Sequence, residues 1–330
     1  KVCGAPLHMF RCASSLARSR ALPLVGAGVA CIGFGTGSSF DSSAVCKPQS
    51  TPIPEGSKLL GKVALVTGSS EGIGAGIALA MAQAGADVCI NFIGDPTPAE
   101  ALADDIRKLG RRVVLSNADV SKRGECRRMF DAAEKQLGPV NILVTNAIFS
   151  TRNSLIDTQA SEFEYTLQIG VMGVFHCFQI FAQRLIALGE GGSIVHISSA
   201  HHKWPVKEAL DYNVAKAGAH HLALSAANEL MWFGIRLNLV VPGWTLTQGE
   251  LRLHGREVLD RAAALMPFGR LCAPSDVGKA AVWLCSDEAA YITGATLQVD
   301  GGLHIETAPS WQKVYPSKKG RGIPNRAAED

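Results

Sequence analysis

The feature that most narrows the possible folds is a glycine-rich turn set between two apolar stretches. Val63-Ala64-Leu65-Val66 is a short apolar run of strand type, followed by Thr67-Gly68-Ser69-Ser70-Glu71-Gly72-Ile73-Gly74 and then by the helix-forming pattern Ala75 to Ala84. Strand, glycine turn and helix in this order let backbone amides and a helix N-terminus cradle a pyrophosphate. Gly68 permits the tight turn, Gly72 lets the amides approach the anion, and Gly74 allows close helix packing. Ser70 and Ile73 lie in the same turn, so all five are candidate cofactor contacts.

The alternation begun here continues along the chain. Strand-like Val88-Cys89-Ile90, Val113-Val114-Leu115 and Ile142-Leu143-Val144 are separated by helical patterns over Ala99–Leu109 and Gly124–Leu137. Strands and helices in regular alternation predict a parallel sheet covered on both faces. The fold class expected is therefore α/β: a Rossmann-type doubly wound sheet in a single domain over residues 58–305, with an N-terminal extension.

A second constellation lies further on. Ser193-Ile194-Val195-His196-Ile197 reads as a buried strand, so Ser199 stands at a strand's C-terminal edge, where open α/β sheets place ligands. Tyr212 follows thirteen residues later, and Lys216 lies four residues beyond it, one helical turn away on the same face. A phenol is a poor base at neutrality, but a cation within about 4–6 Å favours its phenolate form.

Ser199, Tyr212 and Lys216, taken with Thr67-Gly68 to Gly74, resemble the Ser…Tyr-x-x-x-Lys and T-G-x-x-x-G-I-G signatures of the short-chain dehydrogenase/reductase family. The resemblance covers about residues 60–305. It implies hydride transfer between a nicotinamide cofactor and a carbonyl or alcohol carbon, with Tyr212 as general acid/base, Lys216 supporting it and binding the nicotinamide ribose, and Ser199 bonded to the substrate oxygen. It also implies cofactor contacts from Asp119 and Val120 after the third strand, from Asn146 and Ala147 after the fourth, and from Pro242, Gly243, Thr245 and Thr247 in a P-G-x-x-x-T-like segment. Gln248–Arg270 resembles the variable substrate lid, Asp276–Leu284 suits a helix, and Tyr291–Gly294 with Val299–Gly302 resembles the closing strand. Within the family, His202-Lys203-Trp204-Pro205 and Ala308–Gln312 are most similar to glucose 1-dehydrogenases and 3-oxoacyl-carrier-protein reductases.

Three positions depart from the family pattern. Thr145 and Ile148 replace the first Asn and the final Gly of N-N-A-G. Gly170, in the long helical segment Glu162–Leu188, stands where the family places a catalytic Asn. These departures, with the unusual N-terminal extension, keep a second expectation open: a weakly active or non-catalytic nucleotide-binding accessory subunit of a mitochondrial assembly.

The implied cofactor is NAD(P)(H). Asn91-Phe92-Ile93 at the end of the second strand supplies neither the acid that selects NAD nor the base that selects NADP. Glu71, where NADP-preferring relatives often carry a base, tilts the expectation slightly to NAD. The adjacent pairs His201-His202 and His220-His221 lack metal-ligand spacing, so no metal is expected. Trp204 and Trp244 are candidates for the pocket wall or the core. By family analogy the helix Tyr212–Trp232 packs against a second copy, giving a homodimer or homotetramer.

Charge is unevenly placed. The first 60 residues carry six Lys/Arg against two acids and the last twenty carry five against two, so although the whole chain is +3 the segment between is −4. That body carries no basic footprint for nucleic acid, and 47% hydrophobic with 18% charged residues suits a folded core around a small-molecule site. Nine scattered cysteines with no C-x-x-C pair point to a reducing compartment rather than a disulfide framework. Residues 1–57, with Arg11, Arg18 and Arg20 among Ser and Ala and no acid before Asp41, have the composition of a mitochondrial transit peptide. The apolar run Ala21–Phe34 leaves a membrane anchor or a plain extension on a cytoplasmic protein as alternatives. Pro48–Ser57, with three prolines, reads as a linker, and residues 306–330 as a basic tail.

Overall fold

The structure, a computed structural model, describes residues 58–305. The expected targeting segment 1–57 and the basic tail 306–330 lie outside the described residues. Among the described residues, seven strands form one parallel sheet: β1 (Val63–Val66), β2 (Asp87–Phe92), β3 (Val113–Asn117), β4 (Ile142–Thr145), β5 (Gly192–Ile197), β6 (Ile235–Pro242) and β7 (Thr296–Val299), in the order β3-β2-β1-β4-β5-β6-β7. The helices are α1 (Gly72–Gln83), α2 (Thr97–Lys108), α3 (Arg123–Leu137), α4 (Ala160–Leu167), α5 (Val174–Leu188), α6 (Leu210–Leu230), α7 (Gln248–His254), α8 (Arg256–Leu265) and α9 (Pro274–Cys285).

Successive strand residues point to opposite faces, and both faces are dry, which is why the strands read as unbroken apolar runs. Leu65, Cys89, Leu143 and Ile194 pack into one core with Phe130 of α3 and Phe181 and Leu185 of α5. Their neighbours Ala64, Val66, Ile90, Val144 and Val195 pack into a second core with Ile77 and Met81 of α1, Ile106 of α2 and Leu284 of α9. Each large side chain so buried contributes about 1.5–3 kcal/mol. The expected doubly wound architecture is thus the one the chain adopts.

Chain direction fixes the site. From β1 the chain runs outward to β2 and β3, then returns to place β4 on the other side of β1. That reversal opens a crevice at the C-terminal ends of β1 and β4, the position where such sheets bind ligands. The glycine turn leaves β1 there and the loop carrying Ile148 leaves β4 there, while Ser199 follows β5, the next strand along.

Two expectations need correction. The segment Glu162–Leu188 is not one regular helix: Gln168–Gly173 forms a π-helical turn between α4 and α5, centred on the position where the family carries Asn. A β-carbon on Gly170 would lie 2.6 Å from the Ile148 Cδ1 and 3.0 Å from the Ala215 Cβ, so a side chain here would have to displace the Ile148 tip. Tyr291–Gly294 belongs to no strand: it lies in the irregular link between the 3-10 turn Asp287–Ala289 and β7, which begins at Thr296. Asn91 of β2 turns its buried side chain inward and braces the glycine turn, as described below.

Candidate active site

The glycine turn is held from beneath by polar side chains. Asn91 Oδ1 accepts from the Gly68 amide at 3.0 Å, and its Nδ2 donates to the Ala118 carbonyl at 2.9 Å. Asn146 Nδ2 donates to the Thr67 and Gly68 carbonyls at 3.1 and 2.9 Å, while Thr67 Oγ1 accepts from the amides of Asn146 and Ala147. Asn146 and Ala147 therefore stand at the turn as its scaffold. Gly68 sits at φ +59°, and a β-carbon on Gly74 would lie 2.2 Å from the Gly68 carbonyl oxygen. No side chain caps the N-terminus of α1, so its first amides face the crevice ready for an anion. The turn fits a dinucleotide diphosphate, with Gly68, Ser70, Gly72 and Ile73 around it. Asp119 and Val120 follow β3. Burial pushes the Asp119 carboxyl up, but the Ser121 hydroxyl and amide with Lys122 outweigh this and hold it below its ordinary range.

On the other side of the crevice, Ser199 and Tyr212 line one cleft together with Ile73, Pro242, Gly243, Thr245 and Thr247. Ser199 Oγ accepts from the His201 amide at 3.2 Å, which leaves its own proton free to donate. Lys216 lies beneath Tyr212, 4% exposed; its Nζ donates to the Ile197 carbonyl at 2.8 Å and stands 5.6 Å from the centre of the Tyr212 ring. Burial lowers the Lys216 pKa, Tyr212 acts to raise it, and Arg152 lowers it again, so it ends below the ordinary lysine value. Thr245 turns its hydroxyl inward to the Gly243 carbonyl at 2.9 Å, and Thr247 caps α7 by accepting from the Glu250 amide at 3.1 Å. Gly243 packs against Asp300, where a β-carbon would lie 2.8 Å from its Cα. Trp244 lines the cleft and donates to Glu250 Oε2 at 2.7 Å; Trp204 is half-buried and is not among the residues lining this cleft.

Several residues of this site escape a motif search. Asp211, 1% exposed, accepts from Ser150 Oγ at 2.9 Å, from Thr166 Oγ1 at 2.8 Å and from the Tyr212 amide at 2.8 Å. It thereby ties the loop after β4 and helix α4 to the helix that carries Tyr212; its place directly before that tyrosine was the only hint in the sequence. His201 meets the Tyr212 ring edge-on at 4.9 Å and bonds Asn213. Burial, and then the Arg152 charge, push the His201 pKa down to about 4 against the opposing Asn213 bond. Thr145, where the family carries Asn, pairs with His196 at 2.9 Å across β4 and β5. Arg252 of α7 forks onto Glu71, so the lid and the glycine turn are linked across the crevice.

Comparisons with known proteins agree with this geometry. Residues 68–304 match the family model described as Enoyl-(Acyl carrier protein) reductase. The chain is 38% identical over 250 residues to an L-rhamnose 1-dehydrogenase (NAD(P)(+)) of Sphingomonas sp. (strain SKA58), covering 75% of this chain and 98% of that protein. It is 30% identical to glucose 1-dehydrogenase 2 of Bacillus subtilis (strain 168), covering 75% and 96%. Among solved structures, a 7α-hydroxysteroid dehydrogenase complexed with NADH and 7-oxo glycochenodeoxycholic acid superposes with a TM-score of 0.70 at 32% identity, covering 75% of this chain and 96% of that one.

Proposed function

The chain belongs to the short-chain dehydrogenase/reductase family, and from that premise we propose that Tyr212 is the general acid/base of its reaction, supported by Lys216 and Ser199. The protein is an NAD(P)-dependent oxidoreductase that acts on the alcohol or carbonyl group of a small molecule. Bound NAD(P)H supplies the hydride, and bound NAD(P)+ takes it back in the reverse direction. Tyr212 gives its phenolic proton to the carbonyl oxygen, and the Lys216 ammonium stabilises the negative charge left on the phenol. Ser199 donates to the same substrate oxygen, so charge developing there meets two donors already in place. Run backwards, the same groups take the proton from an alcohol.

One observation carries this reading: the Lys216 ammonium is buried and fixed by the Ile197 carbonyl beside Tyr212, which shares its cleft with Ser199. A turnover screen over sugars, acyl thioesters and steroid ketones with both cofactors, run on wild type and Lys216→Met, tests it. Turnover lost by about 100-fold or more in the variant is expected, and a variant as fast as wild type removes the ammonium from the mechanism. The accessory-subunit alternative draws no support from the relatives, which are dehydrogenases.

The finer features are proposals of the same kind. NAD is favoured because Ile93, 64% exposed, and Asp95 follow β2, and neither can pair with a 2′-phosphate. Tighter binding of NADH than NADPH is expected, and the reverse order defeats the preference. The contact of Glu71 with Arg252 weakens the second ground for it, since the acid is already matched by a base. A homodimer or homotetramer is supported by the segment Ala160–Leu188, which contains an 18-residue stretch of mean hydropathy 1.5 that the core only half buries. Its outer face leaves Met172 and Phe175 exposed, and α6 leaves Val214 exposed. Light scattering at micromolar concentration should find more than one chain per particle. The composition of residues 1–57 supports mitochondrial import; cell fractionation with carbonate extraction separates it from membrane anchoring and from a cytoplasmic location.

A further inference from the structure

The loop after β4 carries a cation that the mechanism above does not use. Arg152 lays its guanidinium over the Tyr212 ring, with Cζ 4.3 Å from the ring centre, and lines both the cleft of Ser199 and the adjoining one toward α7. Its Nη1 is closed to solvent and has no hydrogen-bond partner among the described residues. A buried donor of this kind on a charged group is costly to leave unmatched, which marks it as a group awaiting an acceptor. The acid that shares its walls, Glu250, accepts instead from the Trp244 indole at 2.7 Å. The backbone adds a second observation. Arg152 sits at φ +57°, a left-handed conformation that residues with a β-carbon adopt only when their surroundings enforce it. Asp211 enforces it here by holding Ser150, whose Oγ accepts from the Arg152 amide at 3.3 Å. The carboxylate that anchors the tyrosine helix therefore also aims the arginine.

We propose that Arg152 recognises a carboxylate on the substrate, so that this enzyme reduces short 2-oxo or 3-oxo acids, or oxidises the matching hydroxy acids. The assignment rests on the placement of Tyr212 as the proton donor. With the guanidinium stacked on that ring, the acid group falls on the reacting carbon or on its neighbour, and a planar fork matches a carboxylate's two oxygens. The carboxylate takes no part in the bond changes; it fixes which carbonyl face and which atom meet Tyr212. A neutral sugar or a steroid ketone offers Arg152 no such partner.

The test compares a 2-oxo acid (pyruvate) and a 3-oxo acid (acetoacetate) with their methyl esters, using NADH and NADPH, on wild type, Arg152→Gln, Arg152→Lys and Tyr212→Phe. Wild type should prefer at least one acid over its ester by about 100-fold in kcat/KM. Arg152→Gln should lose about 100-fold on the acid, mostly in KM, while changing the ester by less than about threefold, with Arg152→Lys in between. Calorimetric binding of oxamate to the NADH-loaded enzyme gives a readout independent of turnover, and should weaken at least about 10-fold in Arg152→Gln. The proposal is overturned if esters or neutral sugars are preferred, if wild type turns over pyruvate yet does not bind oxamate, or if Arg152→Gln slows acid and ester alike. The last result would make the arginine a support for Tyr212 rather than a reader of substrate. Tyr212→Phe separates the two readings: its full activity on any substrate would strike down the acid/base assignment, whatever Arg152 does.

Discussion

Gly170 and Ile148 are two departures from the family pattern that turn out to share one space. The Ile148 side chain reaches to where a β-carbon at position 170 would begin, so glycine at 170 accommodates isoleucine at 148. Gly170→Asn should lower stability by about 1–3 kcal/mol through overpacking, while the double variant Gly170→Asn with Ile148→Gly should recover most of it. Thermal melts of the four proteins in this cycle check the coupling, which should exceed about 1 kcal/mol; strictly additive effects would show that the two positions do not meet. Each residue was legible as an oddity in the sequence. That they compensate each other was not, because positions 22 apart in the chain meet only once the loop after β4 comes against the π turn beside Ala215 of α6. Asn91 teaches the same lesson: burial beneath Gly68 gives its side-chain amide three backbone partners, a bracing role that no motif spacing announces.

At the scale of elements, glycines decide which helices can approach. A β-carbon on Gly278 of α9 would lie 2.7 Å from the Gly76 carbonyl oxygen of α1, and one on Gly76 would lie 2.4 Å from Pro274 Cβ. Backbone cannot step aside as a side-chain tip can, so Gly278→Ala should cost about 1–3 kcal/mol and lower the melting temperature by several degrees. Gly74→Ala acts two residues before Gly76 in α1, where the added carbon strikes the Gly68 carbonyl. NADH affinity measured by fluorescence should drop at least about 10-fold, and unchanged affinity would mean that the turn does not hold the diphosphate. Strand and helix positions were readable to within a few residues, since buried parallel strands and glycine punctuation leave strong patterns. The lid was less so. Gln248–Arg270 proved to be α7 and α8 hinged at Gly255, built of mixed polar and apolar residues whose faces are set by contact with the body rather than by periodicity.

For the whole molecule, the titrations of buried histidines set the dependence of stability on pH. Burial pushes His196 well below the ordinary imidazole value, and pushes His201 and His220 down to about 4. Between about pH 6.5 and 4 the unfolded chain binds protons that these folded sites refuse, so stability falls as pH falls through that window. The melting temperature should drop by at least about 3 °C between pH 7 and pH 5, and a flat profile would contradict the neutral assignment. What the sequence conveyed of the site was its motif-bearing half, the glycine turn with Ser199, Tyr212 and Lys216. The other residues lining the cleft, Arg152, His201 and Glu250, lie on loops and the lid, where position depends on three-dimensional aim and leaves no spacing rule. The central claim is that a phenol backed by a buried ammonium handles the proton of the reaction. Single-turnover hydride transfer by Tyr212→Phe loaded with NADH tests it most directly: the chemical step should slow by about 1000-fold while NADH affinity stays within about threefold, and a phenylalanine enzyme that transfers hydride at the wild-type rate would contradict it.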